Sequence, residues 1–116
     1  MLFYVILEEV ELNMALETVE FIQGEKKNLD IEVHSIYNES FTITSGIFTL
    51  TDAVDDVIIN ATATRYVETI NDAEVCKEIY YLLDTSSLDV GKYTGQFTYI
   101  VNTETLKYRF VVSIIE

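Results

Sequence analysis

Few residues in this sequence are of a type that does chemistry, and their spacing limits what each can do. Asp52, Asp55 and Asp56 fall together in the stretch TDAVDD, and carboxylate oxygens this close in one loop are ligands of the kind calcium takes. The glycine and the closing glutamate of an EF-hand loop are missing, so a solvated turn is the stronger expectation and no metal is expected. His34 is the only histidine and Cys76 the only cysteine. His34 stands on the polar side of an alternating stretch and is expected to be a solvated surface residue. Cys76 is expected to be a buried structural thiol, since nothing local brings a base to it. The glycines are too scattered for a phosphate-binding loop. No catalytic residue and no cofactor are expected, and the chain is expected not to be an enzyme.

A different pattern stands near the end, where Asp89, Gly91 and Tyr93 occupy alternate positions in LDVGKY. In Greek-key sandwiches a tyrosine near the start of the penultimate strand turns its hydroxyl back onto the chain a few residues upstream and pins the crossover between the sheets. Tyr93 fits that place. Leu88 is expected to plug the core beneath it, and Asp89 to accept backbone hydrogen bonds in the turn. Gly91 is expected to allow a tight backbone where a side chain would collide. The residue two after the tyrosine is Gly95, where an antibody-type domain has a cysteine, and the chain has no tryptophan. The reading is therefore a structural corner in a sandwich without the inter-sheet disulfide.

The elements that must position these residues are legible as alternation. Leu29, Ile31 and Val33 alternate with Asp30, Glu32 and His34, the period of a strand with one dry and one wet face. Val57, Ile59, Ala61 and Ala63 repeat the pattern against Ile58, Asn60, Thr62 and Thr64. Tyr93, Phe97, Tyr99 and Val101, then Leu106, Tyr108, Phe110, Val112 and Ile114, read as two strands of a hairpin around a polar loop at Asn102 to Thr105. Weaker strands are expected at Glu17 to Ile22, Phe41 to Thr44 and Ile47 to Thr51. The stretch Ala73 to Leu83 fits a helical stripe through Cys76, Ile79, Tyr80 and Leu83 as well as a strand, and a strand is preferred. Turn signals stand at Gly24, Asn38, Gly46, Asp55, Asn71 and Asp72. The expected fold is all-β: a two-sheet immunoglobulin-like β-sandwich with Greek-key connections.

Length and charge bound the rest. The chain has 116 residues, enough for one core, so a single domain over residues 1–116 is expected. The first thirteen residues leave two readings open: a strand from Leu2 to Val10, or an extension ahead of a second natural start at Met14. MLFYVIL is too short for a membrane span and lacks the basic flank and cleavage site of a signal peptide. A formal charge of −13 repels phosphate backbones and anionic lipid, so neither nucleic acid nor membrane is an expected partner. With 49% hydrophobic residues, the chain has too much core material for a disordered acidic tail.

Two stretches go further. FIQGEKKNLDIEV (Phe21 to Val33) and LDVGKYTGQFTYIVNTETLKYRFVVSI (Leu88 to Ile114) together resemble the small immunoglobulin-like domains of tailed-bacteriophage structural proteins, including the amino-terminal domain of baseplate upper proteins. The resemblance implies a virion protein, made in the host cytoplasm, that acts by packing against copies of itself or neighbouring virion proteins. On that view exposed apolar residues opposite the core are contact positions, and Phe48, Leu50, Ile58 and Ile115 are the expected ones. The alternative is an immunoglobulin-like binding module of a bacterial surface or secreted adhesin-type assembly, presenting its end loops to a ligand.

Overall fold

The computed structural model describes residues 3–7 and 17–116, of which the Leu7 side chain is excepted. In chain order the strands are β1 (Phe3–Leu7), β2 (Thr18–Ile22), β3 (Lys26–Ser35), β4 (Ile43–Thr51), β5 (Val57–Thr62), β6 (Thr64–Ile70), β7 (Ala73–Asp84), β8 (Gly91–Val101) and β9 (Glu104–Ile115). They form two sheets, β1-β3-β7-β6 and β2-β9-β8-β4-β5. The pairings are antiparallel except β2 with β9, which run parallel. The chain is an immunoglobulin-like Greek-key β-sandwich, and its one cysteine, Cys76, is free and buried. β1 pairs with β3 from Phe3↔Ser35 to Leu7↔Ile31. The remainder of the Leu2 to Val10 strand expected from the sequence lies outside the described residues.

The core is what alternation predicts for strands with one face turned inward. Leu29, Ile31 and Val33 of β3, Ile79 and Leu83 of β7, and Phe97, Tyr99, Val101, Phe110, Val112 and Ile114 of the β8–β9 hairpin are all buried. Phe48 lies at its centre, stacked on Tyr81 of the opposite sheet at 4.6 Å and tilted against Phe97 at 5.3 Å. The chain changes sheets at Ala63, a buried residue whose amide donates to the Gly46 carbonyl at 3.0 Å.

Several expectations are corrected by the register. Phe48 and Leu50 are fully buried rather than outward contact positions, because Thr49 and Thr51 take the wet face of β4 and alternation turns their neighbours inward. Phe41 to Thr44 and Ile47 to Thr51 are not two strands: β4 runs continuously from Ile43, with an irregularity between Ile43 and Ser45. Gly46 is not a turn residue. It is buried in β4, where an added Cβ would meet Ile79 Cδ1 at 3.1 Å. The hairpin loop is shorter than expected, with Val101 already paired to Glu104 around Asn102 and Thr103. Val57, expected on the dry face, is exposed, because a bulge opposite Leu50 and Thr51 shifts the start of β5.

Candidate functional site

One end of the sandwich gathers the residues that the sequence marks out. Tyr93 Oη donates to the Asp89 carbonyl at 2.7 Å, closing the crossover from β7 to β8. Leu88 is buried beneath it, and its carbonyl accepts a hydrogen bond from Gln23 Nε2 at 2.7 Å. Gly91 has φ +156°, yet nothing lies within 4 Å of where its Cβ would be. Backbone conformation rather than collision therefore distinguishes that position. Asp89 takes part through its carbonyl, and among the described residues no backbone amide donates to its carboxylate.

The β2–β3 turn is fastened to the same crossover. Thr85, fully buried, donates through Oγ1 to the Glu25 carbonyl at 2.8 Å and accepts from the Gly24 amide at 3.0 Å, while its own amide donates to Glu25 at 3.0 Å. Gly24 sits at φ +96°, a conformation that glycine adopts without steric cost. The FIQG turn and the LDVGKY corner, separate in the sequence, thus form one hydrogen-bonded clasp. Thr85 is the member that sequence reasoning missed, since no local pattern distinguishes a bridging threonine from any other.

The aspartates of TDAVDD stand beside this clasp. Asp52 Oδ1 accepts from the amides of Val54 at 3.0 Å and Asp56 at 2.9 Å, so its carboxylate organises the turn. Asp55 holds φ +66°, which aspartate tolerates better than most residues. Among the described residues, no three His, Cys, Asp or Glu side chains are grouped to hold a metal ion.

The remaining reactive types are far from one another in role. Cys76 is 1% exposed, its Sγ lies 3.3 Å from the Glu78 carbonyl, and burial pushes its pKa up, which keeps the thiol protonated. His34 is half-buried rather than free in solvent. Its ring stacks on Tyr4 at 4.9 Å, and Glu32 Oε1 stands 3.1 Å from Nε2. Near the other side of the sandwich Tyr108 Oη donates to the Glu17 carboxylate, and burial followed by that partner raises the tyrosine's pKa.

The two outer sheet faces differ in chemistry. On the β1-β3-β7-β6 sheet the row Ile6–Glu32–Glu78–Tyr66 crosses all the strands. Tyr4, Ile6, Tyr66, Ile70 and Leu82 are all exposed on this face, among Asp30, Glu32, Glu68 and Glu78. An open groove of about 260 Å³ runs between Tyr66, Ile70 and Val75 and the carboxylates of Glu32, Glu68 and Glu78, with Lys77 as the one cation of its lining. The β2-β9-β8-β4-β5 sheet instead presents Thr18, Thr49, Thr51, Thr62, Thr94 and Thr98 with Lys92, Lys107 and Arg109. Ile58 and Ile115, two of the expected contact positions, are exposed on this second sheet at 42% and 37%.

No protein-family model and no curated protein matches this chain. Among solved structures it is similar to a family 123 glycoside hydrolase from Clostridium perfringens, analysed for glycolipid glycan hydrolysis, with a TM-score of 0.51 at 10% identity. The match covers 97% of this chain and 27% of the hydrolase, so the chain spans about a quarter of that protein's length. At this identity the likeness is one of fold.

Proposed function

We propose that the protein is a non-enzymatic structural component of a tailed-phage particle or a phage-tail-like assembly, working by burial of its outer sheet faces against other proteins, either further copies or virion neighbours. The observation that carries the reading is the gathering of Tyr4, Ile6, Tyr66, Ile70 and Leu82 on one exposed sheet face. Scattered exposed apolar residues are ordinary, whereas several on one face mark a surface that spends part of its life covered. The phage assignment is supported by the two stretches that resemble phage immunoglobulin-like domains, and it gains no support from the glycoside hydrolase, whose likeness is of fold. Mass spectrometry of particles purified from a culture expressing the gene tests the assignment. The chain is expected in stoichiometric amount with the other particle proteins, and its absence from purified particles would overturn the reading.

A second reading, the binding module of a surface or secreted adhesin-type assembly, is favoured by the groove, where Tyr66 stands beside Glu32, Glu68 and Glu78. An aromatic wall next to hydrogen-bond acceptors is chemistry that suits a sugar. Glycan-array binding that Tyr66→Ala abolishes would transfer the assignment to this reading.

A further inference from the structure

We infer that copies of this chain associate head to tail, the acidic and apolar face of the β1-β3-β7-β6 sheet of one copy covering the threonine-rich basic face of the β2-β9-β8-β4-β5 sheet of the next. The inference rests on the structural-component reading and gives that reading a surface, a partner and a mode of growth.

Charge is divided unevenly over the molecule. The chain carries 20 acidic and 7 basic residues, so a patch of bases without acids is not what an even scatter gives. Lys107, Arg109 and Lys92 nevertheless share the outer face of β8 and β9, with Glu20 on the edge strand β2 as the acid of that face. Among the described residues no carboxylate lies within ion-pair distance of these cations. Arg109 is also held in place: Nε and Nη2 donate to Gln96 Oε1 at 3.2 and 3.0 Å, and Gln96 Nε2 donates to Thr98 Oγ1 at 3.2 Å. A guanidinium held by two hydrogen bonds has lost much of its side-chain freedom before any partner arrives.

The opposite sheet supplies the complement. Glu32 and Glu78 are direct cross-strand neighbours, and like charges in that relation are destabilising. With Glu68 beyond Tyr66 they make an acidic strip beside the apolar residues Ile6, Tyr66 and Ile70. Lys77 lines the same groove, one cation among three carboxylates, so the strip stays acidic on balance and attracts the cations of a facing copy. Ile47 and Ile22, exposed on the basic face, meet the apolar part of the acidic one. The two faces, built of strands of 5 to 12 residues, measure on the order of 500–700 Å², somewhat less than the roughly 800 Å² each partner buries in a standard interface.

Nucleic acid is the weaker occupant of the basic face, because the net charge of −13 opposes approach of a polyanion from any direction. A second copy carries the same net charge, but its acidic strip adjoins apolar surface that rewards burial. Because the two faces lie on opposite sides of one sandwich, each pairing leaves a free face at both ends. Such heterologous contacts close into a ring or continue as a fibre.

Salt screens the attraction between the faces and the repulsion between whole molecules alike, so charge exchange is the sharper test. One variant combines Lys107→Glu with Arg109→Glu, and a second combines Glu32→Lys with Glu68→Lys. Each alone opposes like charges at every contact and is expected to associate more than about tenfold more weakly than the parent in sedimentation velocity. An equimolar mixture restores opposite charges at both contacts and is expected to recover the parent's mass distribution. Circular dichroism and melting of each variant establish that it is folded. The inference is overturned if either variant assembles like the parent, if the mixture fails to recover, or if the parent itself remains a monomer. The broader reading fails separately, when the chain is missing from purified particles.

Discussion

Thr85 serves three hydrogen bonds with no solvent to replace them, so its loss is expected to cost more than that of the tyrosine that first draws notice. Thr85→Val keeps the shape and leaves the Gly24 amide unpaired, for an expected loss of about 1–3 kcal/mol in urea unfolding. Tyr93→Phe removes one hydrogen bond at a more exposed site and is expected to cost about 0.5–1.5 kcal/mol. The reverse order would show that the clasp is not held at Thr85. A second prediction concerns pH. Burial is the main cause of raised pKa values at Tyr93, Tyr99 and Tyr108, with Asp89 and Asp52 adding to the first and Glu17 to the last. A folded-state value above the unfolded one, about 10 for tyrosine, stabilises the fold fully below that pH. That contribution is lost as pH rises through the folded-state values, since the unfolded chain gives up its protons first. In a tyrosinate absorbance titration, fewer than the chain's eight tyrosines should ionise just above pH ~10 while the fold persists. Ionisation of all of them in a still-native protein would contradict the burial of these hydroxyls. Tyr93 was legible in the sequence because its partner is four residues away, whereas the side-chain partners of Thr85 are 60 and 61 residues away.

The strands were legible wherever polarity alternates without interruption, as in β3, β8 and β9, and were blurred where a bulge interrupts it. In β7, Cys76 and Ile79 both face inward although they are three residues apart, because Val67 pairs with Cys76 and Tyr66 with Glu78, leaving Lys77 as the extra residue. That spacing imitates a helical stripe, which is why the stretch fits two periods. In β4 the outward Ile47 is itself apolar, so polarity on that strand marks the dry face only through Thr49 and Thr51. The β8–β9 hairpin allows a direct test of packing against turn chemistry. At Gly95 an added Cβ would stand 2.6 Å from Phe110 Cε2 in the core, so Gly95→Ala is expected to cost about 1–3 kcal/mol. Asn102, at φ +56°, occupies a conformation that a β-branched side chain resists, and Asn102→Val is expected to cost about 1–2 kcal/mol. Asn102→Gly is expected to be nearly neutral by the same urea measurement, and a large loss there would place the importance of Asn102 in its side chain instead.

At the scale of the whole molecule, the sandwich could be read from alternation and from the LDVGKY corner, whereas the division of its outer faces could not. Which polar residues share a face depends on strand order, and β3 lies beside β7 although residues 36–72 of the chain separate them. For the same reason Tyr66, Ile70 and Leu82 did not stand out as neighbours, while Phe48 and Leu50 were wrongly placed on the surface. The central claim is that the acidic, apolar face is a protein contact surface. Sedimentation velocity from micromolar to millimolar concentration, comparing the parent with a Tyr66→Asp, Ile70→Asp double variant, tests it most directly. The account predicts that the parent grows beyond its 13.3 kDa monomer as concentration rises, while the variant, with unchanged melting, remains a monomer. A parent that sediments as a monomer throughout, or a variant that associates equally well, would contradict it.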